Sequence, residues 1–316
     1  SDADCRSFTV SFTVHADGSL HDAACSSLMH RRGTIVRMTY EEAEAQLEAR
    51  SNSALVALEA AAGARRSLRT RRGAVSLGRR AGLAVSLAAD GSLQLEPVRV
   101  ARRASTLVEE MMVAAGEAAA TLLVDAGLGE AGVFRVQPAP RAAHGGEAGG
   151  TVDDPLAALA GTKAGSAERL VAEQALLSCL APASLAATVG PHWAAGLPAY
   201  SQATSPLRRY SDCLTHRLLR DPTHRLPASL LPSLSLRTRQ VRDISRRVTD
   251  DLALAAARQA GEHLTAIVVS PPTGGRVRVL VPTLGISRTV SLAPLGIRTA
   301  PAVAATLAIP PALLGD

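Results

Sequence analysis

Lysine is almost absent from this chain: Lys163 is the only one among 34 Lys and Arg residues. Positive charge therefore sits on guanidinium groups, whose flat forks match phosphate and carboxylate in a way the lysine point charge does not. An Ala- and Arg-rich, Lys-poor composition is also what GC-rich coding produces, so the placement of the arginines matters more than their number. Aromatic residues are nearly as scarce, with three Phe, three Tyr and one Trp, which leaves thin material for a binder that stacks successive bases. Cys5, Cys25, Cys179 and Cys213 lie far apart, with no Cys-x-x-Cys pair and no His at ligand spacing. Neither a zinc site nor a dense disulfide framework is supported, and a reducing compartment fits best. No apolar run approaches the roughly 20 residues that span a bilayer; the stretch Ala181 to Val189 is short and broken by Pro and Ser. No apolar signal core follows Ser1, so a soluble protein is expected, with no membrane partner, as a processed form or a fragment.

What is present is enough for a folded body. Hydrophobic residues make up 47% of the 316, against 25 Gly and 18 Pro, which suits one large domain or two smaller ones and excludes spacer and collagen-like classes. The formal charge is +6. Phe8, Val10, Phe12 and Val14 alternate with polar residues up to Asp17-Gly18, and Leu83, Val85 and Leu87 do the same up to Asp90-Gly91. Both patterns predict a strand entering a hairpin. Thr39-Tyr40-Glu41-Glu42 is a capping box that opens a helix running through Leu47 and Leu55 to about Ala62. A second box, Thr106 to Glu109, opens a buried helix carrying Leu107, Met111, Ala115, Ala118 and Leu122 on one face.

Residues from about Pro138 to Asp154, including His144-Gly145-Gly146, read as an irregular loop. A long Arg-rich helix is expected from about Ser235 to Gln259, then strands at Leu264 to Val269 and Arg276 to Val281. The fold class expected is mixed α/β, a mixed sheet with packed helices, with a boundary near Gly261: a body over 1–260 and a small partial OB-like barrel over 261–316.

The densest chemistry lies in Tyr200-Ser201-Gln202-Ala203-Thr204-Ser205-Pro206-Leu207-Arg208-Arg209-Tyr210-Ser211-Asp212. Ser205 is a good N-cap and Pro206 a good first helical residue, which predicts a helix with Arg208 and Arg209 in its first turn. That end of a helix favours negative charge, so two guanidiniums there describe an anion site that phosphate would satisfy. The alternative is an ion pair with a protein carboxylate, Asp212 being the candidate at helical spacing.

This run, followed by His216, resembles the signature near the end of the RNB catalytic domain of the exoribonuclease II family. The family pattern is a Tyr, then Thr-Ser-Pro-Ile-Arg-Arg-Tyr, an Asp two residues on and a later His-Arg; Leu207 replaces the Ile, and Ala203 stands where Phe is usual. The resemblance extends to Met38-Thr39-Tyr40-Glu41, Leu68-Arg69 with Gly73-Ala74, Val108-Glu109-Glu110-Met111-Met112 with Gly116-Glu117, and Phe134-Arg135-Val136-Gln137-Pro138. It covers about residues 5 to 260, and the following segment resembles the RNA-binding barrel that comes after RNB domains. Gly116 in place of the usual Asn, with Met111-Met112, is closer to the organelle and cyanobacterial branch.

The resemblance implies 3′ to 5′ hydrolysis of single-stranded RNA to nucleoside 5′-monophosphates with Mg2+. It matches Arg208 to the arginine on the scissile phosphate, Tyr40 to the tyrosine packing at the 3′-terminal nucleotide, and Glu110 to the glutamate that helps hold the terminal ribose or base. Glu109 is the fallback if the register shifts by one. Arg209, Tyr200, Thr204, Ser205 and Tyr210 fall in the RNA-binding part. The upstream Asp-x-Asp-Asp motif that holds the family's metal is absent here, and Asp153-Asp154 and Asp250-Asp251 sit in the wrong context. Mg2+ ligands are therefore expected upstream of this chain, and no metal ligand is assigned within it. The alternative is a catalytically silent RNA-binding or scaffold protein of the same fold. Location is expected to be intracellular, in cytoplasm or in a plastid or mitochondrion, with protein partners unassigned.

Other residues weigh toward structure. Tyr40 in a first helical turn is, apart from the resemblance, more often a partly buried packing residue, and first-turn glutamates are explained by the helix dipole alone. His192, His216 and Trp193 read as structural. Two clusters, Arg65, Arg66, Arg69, Arg71 and Arg72, and Arg237, Arg239, Arg242, Arg246 and Arg247, are either backbone-holding surfaces or solvated faces.

Overall fold

The structure is a computed structural model that describes residues 4–75, 83–97, 102–140, 155–261 and 263–314. Its elements in chain order are β1 (Cys5–Val14), β2 (Leu20–His30), α1 (Tyr40–Glu48), α2 (Ser53–Arg71), β3 (Leu83–Leu87), β4 (Leu93–Pro97), α3 (Arg102–Asp125), β5 (Phe134–Val136), α4 (Pro155–Gly161), α5 (Ala167–Cys179), β6 (Ser184–Ala186), α6 (Tyr210–Arg220), α7 (Leu230–Ala260), β7 (Leu264–Val268), β8 (Arg276–Val281), β9 (Ile286–Ser291) and β10 (Thr306–Ile309). The fold is mixed α/β, as expected. Contacts group these elements into two compact units, one of Ser1–Ser76, Val100–Ala139 and Pro182–Thr238, the other of Leu77–Arg99, Pro140–Ala181 and Arg239–Asp316. The loop read around His144 lies outside the described residues.

In the first unit β1 and β2 form the expected antiparallel hairpin, with a register shift between Ser11 and Thr13. Asp17 closes its turn by accepting from Ser19 N–H at 2.9 Å, and Gly18 takes φ +89°, a conformation glycine adopts without a Cβ penalty. The capping box of α1 is present in full: Glu42 N–H donates to Thr39 Oγ1 at 3.2 Å and Thr39 N–H to Glu42 Oε2 at 2.7 Å. The single helix expected onward to Ala62 is instead two. Arg50 takes φ +51°, and Asn52 restarts the chain as α2 by accepting from Ala54 and Leu55 N–H. Helix α3 begins at Arg102, so the Thr106 to Glu109 pattern falls inside it and does not cap it.

Two small cores hold this unit. Leu47, Ala62, Ala104 and Leu107 pack where α1, α2 and α3 meet. Ala120, Leu123, Val133, Phe134, Leu214, Leu218 and Leu231 join α3, β5, α6 and the start of α7.

The first arginine cluster is divided: Arg65 is buried and Arg69 half-buried, whereas Arg66, Arg71 and Arg72 are exposed. Arg65 is fully buried, ion-paired with Glu117, and donates to the Gly18 carbonyl at 2.6 Å. Arg72 shares Glu117 at 2.9 Å, Arg71 donates to the Asp17 carbonyl at 2.8 Å, and Arg69 pairs with Glu110 at 2.7 Å. Four of these five guanidiniums are spent joining α2 to α3 or to the β-hairpin turn. A buried ion pair that loses one partner leaves an uncompensated charge, which is why such arginines hold a fold in place.

In the second unit β3 and β4 pair through the Asp90-Gly91 turn, with Asp90 accepting from Ser92 N–H at 2.9 Å. Strands β7 to β10 make one antiparallel sheet in the order β10-β7-β8-β9. Val277, Val279 and Val281 alternate into a core with Val268, Ile286 and Leu254 of α7, the period-2 pattern of a sheet with one buried face. Arg239, Arg242, Arg246 and Arg247 of α7 are exposed. Among the described residues no helix is long and apolar enough to cross a membrane.

Candidate functional site

Residues Tyr200 to His216 are fixed on three sides within the first unit. Arg135 N–H of β5 donates to the Tyr200 carbonyl at 2.8 Å, and Ser201 N–H donates to the Gly116 carbonyl of α3 at 3.0 Å. Ser201 is fully buried; its Oγ donates to the Val133 carbonyl at 2.7 Å and lies 3.0 Å from Thr215 Oγ1 of α6. His216 Nε2 meets the Ala203 carbonyl at 2.6 Å, a contact in which the ring nitrogen must donate because a carbonyl only accepts.

Gly116 is what lets Tyr200 come so close to α3. A Cβ at this position would overlap the Tyr200 ring and stand 2.9 Å from the Ser201 carbonyl oxygen. Gly to Ala inside a helix ordinarily stabilises by up to about 1 kcal/mol. Here Gly116→Ala is expected to do the reverse, destabilising by about 1–3 kcal/mol through overpacking. A thermal melt decides it, since a raised midpoint would mean that the Tyr200 ring yields freely.

The helix expected from Pro206 begins later. Arg209 is the N-cap of α6 with an extended backbone, φ −128° and ψ 114°, so Arg208 and Arg209 precede the helix and do not lie in its first turn. The reason is Asp212. This fully buried carboxylate accepts from Ser205 N–H at 2.8 Å, from Arg209 Nη2 at 2.8 Å and from Ser211 Oγ at 3.1 Å. Ser205 O in turn accepts from the N–H groups of Arg208 and Arg209. Residues 205–209 thus close one isolated turn around Asp212 before the helix starts. Of the two readings of the arginine pair, the ion pair with Asp212 is present, on Arg209. Arg209 is ion-paired with Asp212 and reaches Thr204 Oγ1 at 3.3 Å, whereas the exposed Arg208 side chain has no hydrogen bond or ion pair among the described residues.

Tyr200 is the centre of a charged group. Its phenol is pushed up from the ordinary range by burial, and Arg209, Arg135, Asp212 and Arg69 are all near enough to act on it electrostatically. Of these, Arg69 is paired with Glu110 and Arg209 with Asp212. His192 meets the Tyr200 ring edge-on at 5.8 Å, and its Nδ1 is buried without a partner. Burial, then the charges of Arg135 and Arg69, lower the His192 pKa from 6.5 to about 4. His192 is therefore neutral near pH 7.

Below pH 6.5 the unfolded chain takes up a proton that the folded one refuses until about pH 4. The contribution is complete above pH 6.5 and is lost as pH falls toward 4, by about 1–2 kcal/mol once solvent screening is allowed for. His192→Gln is expected to flatten the fall of the denaturant midpoint across that window; an unchanged slope would assign the fall to other groups.

Glu110 on α3 is 4% exposed and its Oε2 accepts from Arg69 Nη1 at 2.7 Å. Tyr40 and Tyr210 are 49% and 55% exposed, with no hydrogen bond or ring contact among the described residues. The structure thus brings Tyr200, Thr204, Ser205 and Arg209 together around Asp212. It holds Glu110 on Arg69, whose charge reaches Tyr200, and leaves Arg208, Tyr40 and Tyr210 free at the surface. Asp212, Arg69 and Arg135 are the members that sequence reading left without a site role. For Arg69 a signal existed, because Arg65, Arg69 and Arg72 on one helix face match Glu110 and Glu117, seven apart on another.

These residues do not fit a divalent cation. Glu110 and Asp212 are each neutralised by an arginine, and among the described residues no group of three or more His, Cys, Asp or Glu converges. Asp250 pairs with Arg288 at 3.1 Å, while Asp153-Asp154 lie outside the described residues.

The site thus consists of a buried tyrosine among ion-paired guanidiniums, next to one exposed arginine, on a mixed α/β body. The sequence model of the RNB domain matches residues 1–224, and the chain belongs to the RNB domain family, whose exoribonucleases degrade RNA and depend on divalent metal. An uncharacterised ribonuclease of Synechocystis is 32% identical over 184 residues, 57% of this chain and 24% of that protein. Exoribonuclease 2 of Serratia proteamaculans is 36% identical over 107 residues, 31% of this chain and 17% of that one. RNase R of Mycoplasma genitalium, solved with ribose-methylated single-stranded RNA, superposes with a TM-score of 0.76 at 15% identity, over 98% of this chain and 55% of that one. Yeast Ssd1, described as a pseudonuclease, superposes at 0.64 with 17% identity, over 92% of this chain and 39% of that one. The chain thus spans about a quarter or less of these curated relatives and about half of the bacterial RNase R.

Proposed function

We propose that this chain is the substrate-positioning part of a 3′ to 5′ exoribonuclease that hydrolyses single-stranded RNA to nucleoside 5′-monophosphates. Arg208 holds the scissile phosphate, Tyr40 packs against the 3′-terminal nucleotide, and Glu110 accepts from the terminal 2′-OH, the group that separates RNA from DNA. Arg209, Tyr200, Thr204, Ser205 and Tyr210 line the path of the backbone, and residues 261–316 form the RNA-binding barrel. Mg2+ would supply the activated water, held by carboxylates outside these 316 residues; this chain's own side chains orient the phosphate and sugar.

The observation that carries the reading is the free Arg208 beside the locked Arg209–Asp212 pair. Attack on a phosphodiester builds charge on the equatorial oxygens, and a guanidinium not already spent on a protein carboxylate is available to pair with them through its two-point fork. The free cysteines fit work inside the cell, in cytoplasm, plastid or mitochondrion.

The test is incubation of a 5′-labelled single-stranded RNA with Mg2+ and either this chain or the whole gene product. A ladder shortening from the 3′ end with the whole product is the expected result. If neither cuts and both bind, the second reading holds: a silent RNA-binding scaffold, favoured by the arginine-neutralised carboxylates and by the likeness to Ssd1.

A further inference from the structure

A glutamate that recognises a sugar hydroxyl must present one carboxylate oxygen in a fixed direction, since free rotation about its last bond would spread the acceptor over many orientations. In Glu110 that rotation is stopped from one side. Arg69 Nη1 donates to Oε2 at 2.7 Å while Arg69 Nε donates to the Ala195 carbonyl at 2.8 Å, so one guanidinium plane bridges the carboxylate and a second backbone segment. That segment is itself locked: Ala195 ends the short 3-10 turn Trp193–Ala195, closed by Gly196 at φ +63°. A Cβ on Gly196 would lie 2.6 Å from the Arg69 carbonyl oxygen. Backbone and side chain of Arg69 are therefore both held against the same turn. The second oxygen of Glu110, Oε1, has no partner among the described residues.

We infer that Arg69 is a positioning residue: by anchoring Oε2 it aims Oε1 of Glu110 at the terminal sugar and so sets the preference for ribose over deoxyribose at the 3′ end. This rests on the proposed role of Glu110 as the sugar acceptor. A planar fork is needed because the two acceptors, a carboxylate and a carbonyl, must be met at once in fixed geometry; the lysine ammonium meets either one but does not impose the plane.

The test compares binding of the chain, in EDTA, to a fluorescent oligoadenylate and to the same oligomer with a 2′-deoxy 3′-terminal nucleotide. One hydrogen bond to a charged acceptor predicts a preference of about tenfold for the all-ribose oligomer. Glu110→Gln and Arg69→Gln are both expected to bring the ratio to within about twofold of unity, and Arg69→Lys to restore it in part. A purely structural arginine would change the melting midpoint and the affinity for both oligomers while leaving their ratio alone.

If the wild-type chain shows no preference, or Glu110→Gln keeps it, the sugar-acceptor role of Glu110 falls and the inference with it. If the preference depends on Glu110 but survives in Arg69→Gln, only the inference falls. Should Arg69→Gln fail to fold, Arg69→Lys decides: an intermediate ratio supports positioning by the fork, and the wild-type ratio overturns it.

Discussion

Replacing Asp212 with alanine is expected to destabilise the first unit by about 3–5 kcal/mol, the cost of leaving a partly buried guanidinium without its counter-ion. Asp212 is fully buried and takes three donors, the Ser205 N–H, Arg209 Nη2 and Ser211 Oγ. Its removal strands all of them and opens the turn over 205–209. Against a total stability of about 5–15 kcal/mol for a domain, such a loss leaves a substantial unfolded fraction at 37 °C. Asp212→Asn is expected to cost roughly half as much, because an amide oxygen still accepts from Ser205 but no longer neutralises Arg209. Urea titrations of the two variants check the ordering. Midpoints indistinguishable from wild type would mean that the turn stands without its carboxylate.

That role of Asp212 also marks where the sequence stops being readable. Ser205-Pro206 is a sound helix start by local rules, and the helix nevertheless starts at Tyr210, because a side chain seven residues on captures the Ser205 N–H. Local propensity gives way to a buried charge that must be satisfied. The Thr39–Glu42 box was legible because both partners lie within one turn and depend on nothing distant. The break at Arg50 was not, since Leu47 and Leu55 keep a helical apolar period across it; only the Asn52 cap betrays it.

The same limit governs the arginines. Composition gives no sign that Arg65 is buried while Arg66 is exposed; the sorting depends on Glu110 and Glu117 of another helix. The motif residues Tyr200 to Asp212 were all found by pattern. Their division into a locked pair and a free guanidinium is not written in the pattern, because it turns on which of two adjacent arginines Asp212 selects.

That division makes Arg208→Ala the sharpest functional variant. The Arg208 side chain is exposed and makes no hydrogen bond or ion pair among the described residues, and its neighbour Leu207 is fully exposed as well. Removal should therefore leave the melting midpoint within experimental error, as surface substitutions do. If Arg208 clamps the scissile phosphate, the variant whole gene product should lose about 10²–10³ in kcat, the scale for removing one donor that stabilises transition-state charge. RNA binding should weaken only a few-fold, and the salt slope of binding should fall by about one phosphate contact. Arg208→Lys should recover charge and little activity, because the two-point fork is lost. Arg209→Ala should behave differently, losing stability and binding together, because its guanidinium holds the turn through Asp212. Measuring melting, binding and single-turnover cleavage on both variants separates the roles. Equal losses of binding and cleavage in Arg208→Ala would reduce Arg208 to an ordinary backbone contact, since only an interaction stronger in the transition state than in the bound RNA can change kcat alone.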